Sequence, residues 1–229
     1  MTLSRVLEPE VMDSEQEAET YNDMDHSAVN TLFVSDLLES ANANQVELKD
    51  ILDLGTATAL IPIELCSRLE TCRVMAIDMS VSMLDLARYN IEADGMIERI
   101  QLGKVDAKAM GYNDELFDCV MSNSIVHHLA DPILCLREAV RVTCQGGLLF
   151  FRDLMRPELD EQVQSLVETY AGEETEHSKK LFDDSLRASL SLDEIQDLVE
   201  RLGFDRKTVL ATSDRHWTWA AVKPVSDDQ

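Results

Sequence analysis

The segment Lys49-Asp50-Ile51-Leu52-Asp53-Leu54-Gly55 constrains the fold more than any other stretch of the chain. It is a short apolar run that stops on a glycine. A helical pattern follows at once over residues 58–69, with Pro62 in its first turn, where a missing N–H is harmless. The alternation then repeats. Residues 73–78 read as a second strand, and Ser80 as the cap of a helix through Met83, Leu84, Leu86, Ala87 and Ile91. Residues 100–105 and 117–122 read as strands three and four. Asp131-Pro132 opens a helix over residues 133–142, and Gly146-Gly147 leads into the apolar strand 148–151. Strands separated by helices at this spacing form βαβ units, hence a parallel sheet covered on both faces.

The flanks complete this plan. Residues 1–25 are acidic and polar and read as a loose arm with at most a short helix. Ser27 is the expected cap of the next helix, whose apolar residues are Val29, Leu32, Phe33, Leu37 and Leu38. Beyond Arg152 the pattern is helical over residues 158–170, 178–190 and 192–202, with Ser191-x-x-Glu194 as a capping box and Gly203 as a C-terminal stop. Residues 207–211 and 217–222 lie too close together for a crossover helix, so they pair antiparallel. The expected fold is α/β. It is a Rossmann-like, doubly wound, mostly parallel seven-stranded sheet with an antiparallel last strand, an N-terminal helix and a C-terminal helical insert. In domain terms this makes an acidic arm over 1–25 and a single domain over 26–229. Its core spans about 48–153, its insert about 154–203 and its closing hairpin 204–223.

Charge narrows the function classes. With 44 acidic residues against 20 basic, the formal net charge is −24, and such a surface repels phosphate backbones and anionic lipid headgroups. The expected partner is a small molecule, not nucleic acid or membrane, with room left for a homodimer. Five cysteines without a Cys-x-x-Cys, no apolar h-region at the start and no apolar run of spanning length place the chain in the cytoplasm.

An open parallel sheet binds ligands beyond the carboxyl ends of its strands, where strand order reverses. The turn after Asp53 sits there. A glycine lets backbone approach a ligand, and the next helix offers free N–H groups. Asp78, ending the second strand, suits a pair of ribose hydroxyls. A dinucleotide site would need G-x-G-x-x-G for its pyrophosphate. Here Gly55 is followed by Thr56-Ala57-Thr58-Ala59, and Asp53 would repel a pyrophosphate while suiting a cationic ligand. No tyrosine has a lysine four residues on, as a short-chain reductase would require. S-adenosylmethionine fits these residues best.

Asp53-x-Gly55, Asp78, Asp106-Ala107, Phe117-Asp118-x-Val120 and His128-Leu129-x-Asp131-Pro132 through Gly146-Gly147 resemble the class I S-adenosylmethionine-dependent methyltransferases. The resemblance is strongest to the small-molecule branch that includes the ubiquinone and menaquinone C-methyltransferases, and it covers roughly residues 48–153. It implies that Asp53, Gly55 and Thr56 lie under the methionyl part and that Asp78 binds the ribose. Met79 would flank the adenine, Asp106 and Ala107 would meet its amino edge, and Ser122 or Asn123 would line the mouth. Tyr21, on an N-terminal lid, is a further expected cofactor contact. The family usually has glycine where Ala57 and Ala59 stand.

His127 and His128 follow the fourth strand and are candidates for a general base, set against a structural role in orienting their loop. No metal is expected, because two adjacent histidines have no matching third ligand. Arg152, Asp153 and Arg156 leave the fifth strand at its carboxyl end, and Arg215 and His216 sit between the last two strands. All five are candidate contacts to the methyl acceptor. The implied reaction is in-line methyl transfer to a small molecule, for which alignment and exclusion of water suffice. A non-catalytic adenosylmethionine-binding or protein-interaction module is the alternative.

Overall fold

The computed structural model describes residues 3–8, Ala18, Asn22 and 26–225. The chain runs through α1 (Ser27–Ala43), β1 (Asp50–Leu54), α2 (Leu60–Arg68), β2 (Arg73–Asp78), α3 (Val81–Ala93), β3 (Ile100–Lys104) and β4 (Phe117–Asn123). A short 3-10 turn, Val126–His128, precedes α4 (Pro132–Val142) and β5 (Thr143–Leu154). Then come α5 (Asp160–Ala171), α6 (Glu176–Ala188), α7 (Leu192–Arg201), β6 (Val209–Ala211) and β7 (His216–Val222). The strands form one seven-stranded sheet in the order β3-β2-β1-β4-β5-β7-β6. β1 runs parallel to β2 and β4, β2 parallel to β3, and β6 antiparallel to β7. Strand order reverses between β1 and β4, which puts Leu54, paired with Ser122, at the switch point.

Several boundaries follow from local chemistry. Ser80 caps α3 by accepting the Met83 N–H, and the Ser191/Glu194 box closes with bonds of 3.3 and 2.9 Å. Other expectations need correction. His26 stands at the N-cap of α1 without a side-chain cap bond, so Ser27 is the first helical residue and not the cap. The buried stripe of α1 is Phe33, Val34, Leu37 and Ala41, while Val29 and Leu32 are exposed. β5 begins at Thr143 and not at residue 148, because Gly146, in the left-handed region, exchanges backbone bonds through Lys223 with Gly147 instead of ending the strand.

The chain packs as two compact units. One holds residues 26–123, Leu134–Phe151 and residues 220–225. Its core gathers Phe33 and Leu37 of α1, Ile51 of β1, Val74 and Ala76 of β2, Ala87 of α3 and Phe150 of β5. The other holds residues 3–8, Ser124–Ile133 and Arg152–Trp219, with a cluster of Leu154, Val163 and Leu186 joined by Leu3 and Phe182. Residues 3–8 are therefore not loose. Leu3 N–H donates to Glu158 O and Val6 N–H to Arg187 O, both at 3.1 Å.

Candidate functional site

The turn after β1 is built by backbone. The N–H groups of Gly55 and Thr56 both donate to Ile77 O at 2.9 Å, which binds the turn to the end of β2. Gly55 has φ 69°, and so far the conformation matches the residue. Ala57 (φ 48°) and Ala59 (φ 60°) then adopt the same left-handed region. Alanine thus holds a backbone that glycine would adopt without strain. Asp78 props this turn. One carboxylate oxygen accepts the Ala57 N–H and the other the Ser80 N–H, each at 2.9 Å. Each oxygen keeps a further lone pair for a ligand. Ser122 Oγ donates to Leu54 O at 2.8 Å and fixes β4 against β1. Asn30, Asp53, Gly55, Thr56, Thr58 and Asn123 line one cavity at this turn.

Electrostatics mark the same place. Asp53 is buried, and loss of solvation pushes its carboxyl up to about 7, with the negative Asp78 adding to the rise. A cation seated beside Asp53 would restore its charge and be held by it. The Thr58 hydroxyl is buried without a hydrogen-bond partner, and a polar ligand in the cavity would satisfy it. A ligand with a positive centre, polar substituents and a vicinal diol suits this donor set. Met79 is exposed just past β2. Asp106, after β3, accepts the Lys108 N–H at 2.8 Å, and Ala107 is buried beside it. The structure therefore gathers Asp53, Gly55, Thr56 and Asn123 round one cavity and links Asp78 to it through Ala57. Tyr21 lies outside the described residues.

In the other unit, Asp153 organises the 3-10 turn. One of its oxygens accepts the N–H groups of Val126 (2.6 Å) and His127 (3.1 Å), and the other lies 2.5 Å from His127 Nδ1. Asp153, expected as an acceptor contact, is fully buried and engaged by this turn. His127 Nε2 is 3.4 Å from Glu8 Oε1, and His128 Nδ1 is 3.0 Å from the same oxygen. Burial works against the His127 imidazolium, yet the Asp153 and Glu8 carboxylates together hold its pKa above the ordinary value. Both ring nitrogens of His127 are thus engaged, Nδ1 by Asp153 and Nε2 by Glu8. Glu8 brings one carboxylate oxygen beside both histidines. Its distance in sequence hid it. The one available signal was Arg5, the only Lys or Arg in residues 1–25, which donates to Leu129 O (2.9 Å) and His127 O (3.1 Å).

Arg156, another expected acceptor contact, is engaged by the protein itself. It is buried and donates to Leu3 O, Ser189 O and Glu194 at 3.1, 2.6 and 2.7 Å, so it staples residues 3–8 to the insert. Arg152 is buried as well and donates to Thr218 Oγ1 at 3.0 Å. Arg215 lies over the Tyr170 ring, 3.3 Å from its centroid. His216 Nδ1 is 2.9 Å from Ser213 Oγ, and burial with the neighbouring Arg215 and Arg152 charges pushes its pKa down to about 4.

Comparison with known proteins points to a methyltransferase domain. The family model described as a methyltransferase domain matches residues 52–151. The chain is 37% identical over 89 residues to the release factor glutamine methyltransferase of Chlorobaculum tepidum, which covers 38% of the chain and 30% of that protein. It is 30% identical over 109 residues to the ubiquinone/menaquinone biosynthesis C-methyltransferase of Klebsiella pneumoniae, covering 47% of the chain and 43% of that protein. The chain thus spans less than half the length of these two relatives. The crystal structure of a SAM-dependent methyltransferase from Aquifex aeolicus superposes with a TM-score of 0.65 at 17% identity, covering 90% of this chain and 97% of that one. No helix among the described residues is long and apolar enough to cross a membrane.

Proposed function

We propose that this chain, whose residues 52–151 match a methyltransferase domain, is a class I S-adenosylmethionine-dependent methyltransferase that binds S-adenosylmethionine at the Asp53–Ala59 turn and transfers the methyl group to a small molecule. The observation that carries this reading is the buried Asp53 in the lining of the turn's cavity, its carboxyl pushed up to about 7 by loss of solvation. Asp53 faces the methionyl end, where the ligand's positive charge compensates the buried carboxylate. Asp78 holds the ribose hydroxyls with the lone pairs left over from Ala57 and Ser80. Thr58 completes the polar contacts. The bound sulfonium supplies an already activated methyl group. The protein's work is then alignment of an in-line displacement and exclusion of water, with no histidine base required.

A small-molecule acceptor is supported by the net charge of −24, which disfavours nucleic acid, and by the Klebsiella relative, whose name places it in ubiquinone and menaquinone biosynthesis. Incubating the chain with methyl-labelled S-adenosylmethionine and a metabolite extract tests both points. Label in a low-mass product is expected. Label only in protein would move the acceptor to the class named for the Chlorobaculum relative, and no label with cofactor bound would leave a binding module.

A further inference from the structure

We propose that Glu8, His127 and His128 form a site for a divalent ion of the zinc class, with Asp153 orienting one of the ligands from behind. The site is independent of the adenosylmethionine turn and stands whether or not methyl transfer is confirmed.

Distances come first. Glu8 Oε1 lies 3.0 Å from His128 Nδ1 and 3.4 Å from His127 Nε2, and all three atoms fall within 4.8 Å of one another. Zinc bonds of about 2.0–2.1 Å in tetrahedral geometry set ligand atoms roughly 3.3–3.4 Å apart. Small side-chain movements therefore close this set on an ion.

Direction is the second argument. His128 Nδ1 is buried and has no hydrogen-bond partner, although the Glu8 oxygen is 3.0 Å away. A ring nitrogen close to a carboxylate but not aligned with it is expected when both atoms face a common third point. The two rings lie side by side, 4.1 Å between centroids and tilted by 36°.

The surrounding shell is the third. His127 Nδ1 is 2.5 Å from Asp153 Oδ1. That contact places the ring proton on Nδ1 and turns the Nε2 lone pair toward the ion, the carboxylate–histidine–metal arrangement that raises ligand basicity. Ser185 Oγ, 3.3 and 3.2 Å from the two Glu8 oxygens, holds the third ligand in place. Arg5 is a nearby positive charge, but its guanidinium donates to the carbonyls of His127, Leu129 and Ala188, and Asp153 offsets it. Three protein ligands leave a fourth position for water or another donor. The bound ion would lock residues 3–8 onto the histidine turn.

The test uses the full chain, stripped with a chelator and titrated with cobalt(II) as a spectroscopic stand-in for zinc. One equivalent is expected to bind with the intense visible bands of a tetrahedral ion and to raise the melting temperature. Glu8→Gln and His128→Ala, each shown by circular dichroism to be folded, should weaken binding at least tenfold. If Glu8→Gln does not fold, His128→Asn, at a partly exposed ring, decides alone. Two results would overturn the proposal: no cobalt bound by the folded protein, or binding that survives these variants. Survival with thiolate charge-transfer bands would move the ion to Cys66 and Cys72, whose sulfurs are 3.7 Å apart. The first result would reduce the cluster to a carboxylate paired with two histidines.

Discussion

Replacing Ala57 and Ala59 separately by glycine should give different results, although the two residues share one backbone conformation. Both hold φ near 50–60°, where a side chain costs about 1–2 kcal/mol that glycine avoids. Glycine also loosens the unfolded chain, which removes about 0.4–1 kcal/mol of that gain. The net for Ala57, whose methyl is only half-buried, is a stabilisation of about 0.8 kcal/mol. Ala59 is fully buried in the core of its unit, and losing its methyl forfeits a further ~0.8 kcal/mol. Ala59→Gly should therefore be close to neutral. For a chain of this size, Ala57→Gly should raise the melting temperature by about 2–3 °C while Ala59→Gly leaves it within about 1 °C. Differential scanning calorimetry without ligand reads both. A fall for Ala57→Gly, or a larger rise for Ala59→Gly, would refute the claim that backbone strain outweighs packing at this turn.

Asp53→Asn should stabilise the ligand-free protein and remove its stabilisation by S-adenosylmethionine. The folded carboxyl, at about 7, holds its proton more tightly than the unfolded one at 3.8, so its contribution to stability declines as pH rises from about 4 to 7. That difference corresponds to at most about 4 kcal/mol. Melting curves should show the variant's advantage at pH 8 and its disappearance near pH 4, and an advantage that is the same at both would contradict the assignment. Gly147→Ala would bring a methyl to 2.8 Å from Asp118 O and 2.9 Å from Cys144 O. It should cost about 2 kcal/mol, seen as a melting temperature about 4–8 °C lower; an unchanged melt would mean this backbone can yield. Arg156→Met should lower stability by about 3 kcal/mol and expose residues 3–8 to limited proteolysis. A digestion pattern identical to wild type would argue against the staple.

What could be read from sequence was chemistry acting over a few residues. Ser80 lies three residues before the N–H it accepts, Ser191 and Glu194 cap reciprocally within one turn, and the Asp53–Gly55 stop marks the end of β1 directly. These placed the sheet, its helices and the turn after β1. Where two local signals competed, the reading slipped. Ser27 is a good cap residue, but the chain enters the helix one residue earlier. Gly146-Gly147 looked like a strand boundary, yet pairing with Lys223 carries the strand through it. Contacts between distant segments left no trace. Nothing near Asp153 or Arg156 reveals that one holds the histidine turn and the other Leu3 O. Nor does the acidic composition of the first 25 residues single out Glu8 from its neighbours. Alanine at positions 57 and 59 suggests ordinary backbone, and only the family's usual glycines there hinted at the left-handed angles.

Titration calorimetry of the full chain with S-adenosylmethionine tests the central claim most directly, run beside Asp78→Asn, which keeps one carbonyl oxygen for the turn. Wild type should bind one equivalent, and Asp78→Asn, shown by circular dichroism to be folded, should bind at least tenfold more weakly (about 1.4 kcal/mol) and melt somewhat lower, because its amide group replaces one of the two oxygens that accept the Ala57 and Ser80 N–H groups. A folded wild-type protein that gives no binding heat and no ligand-dependent rise in melting temperature would contradict the account, as would a variant that binds equally well.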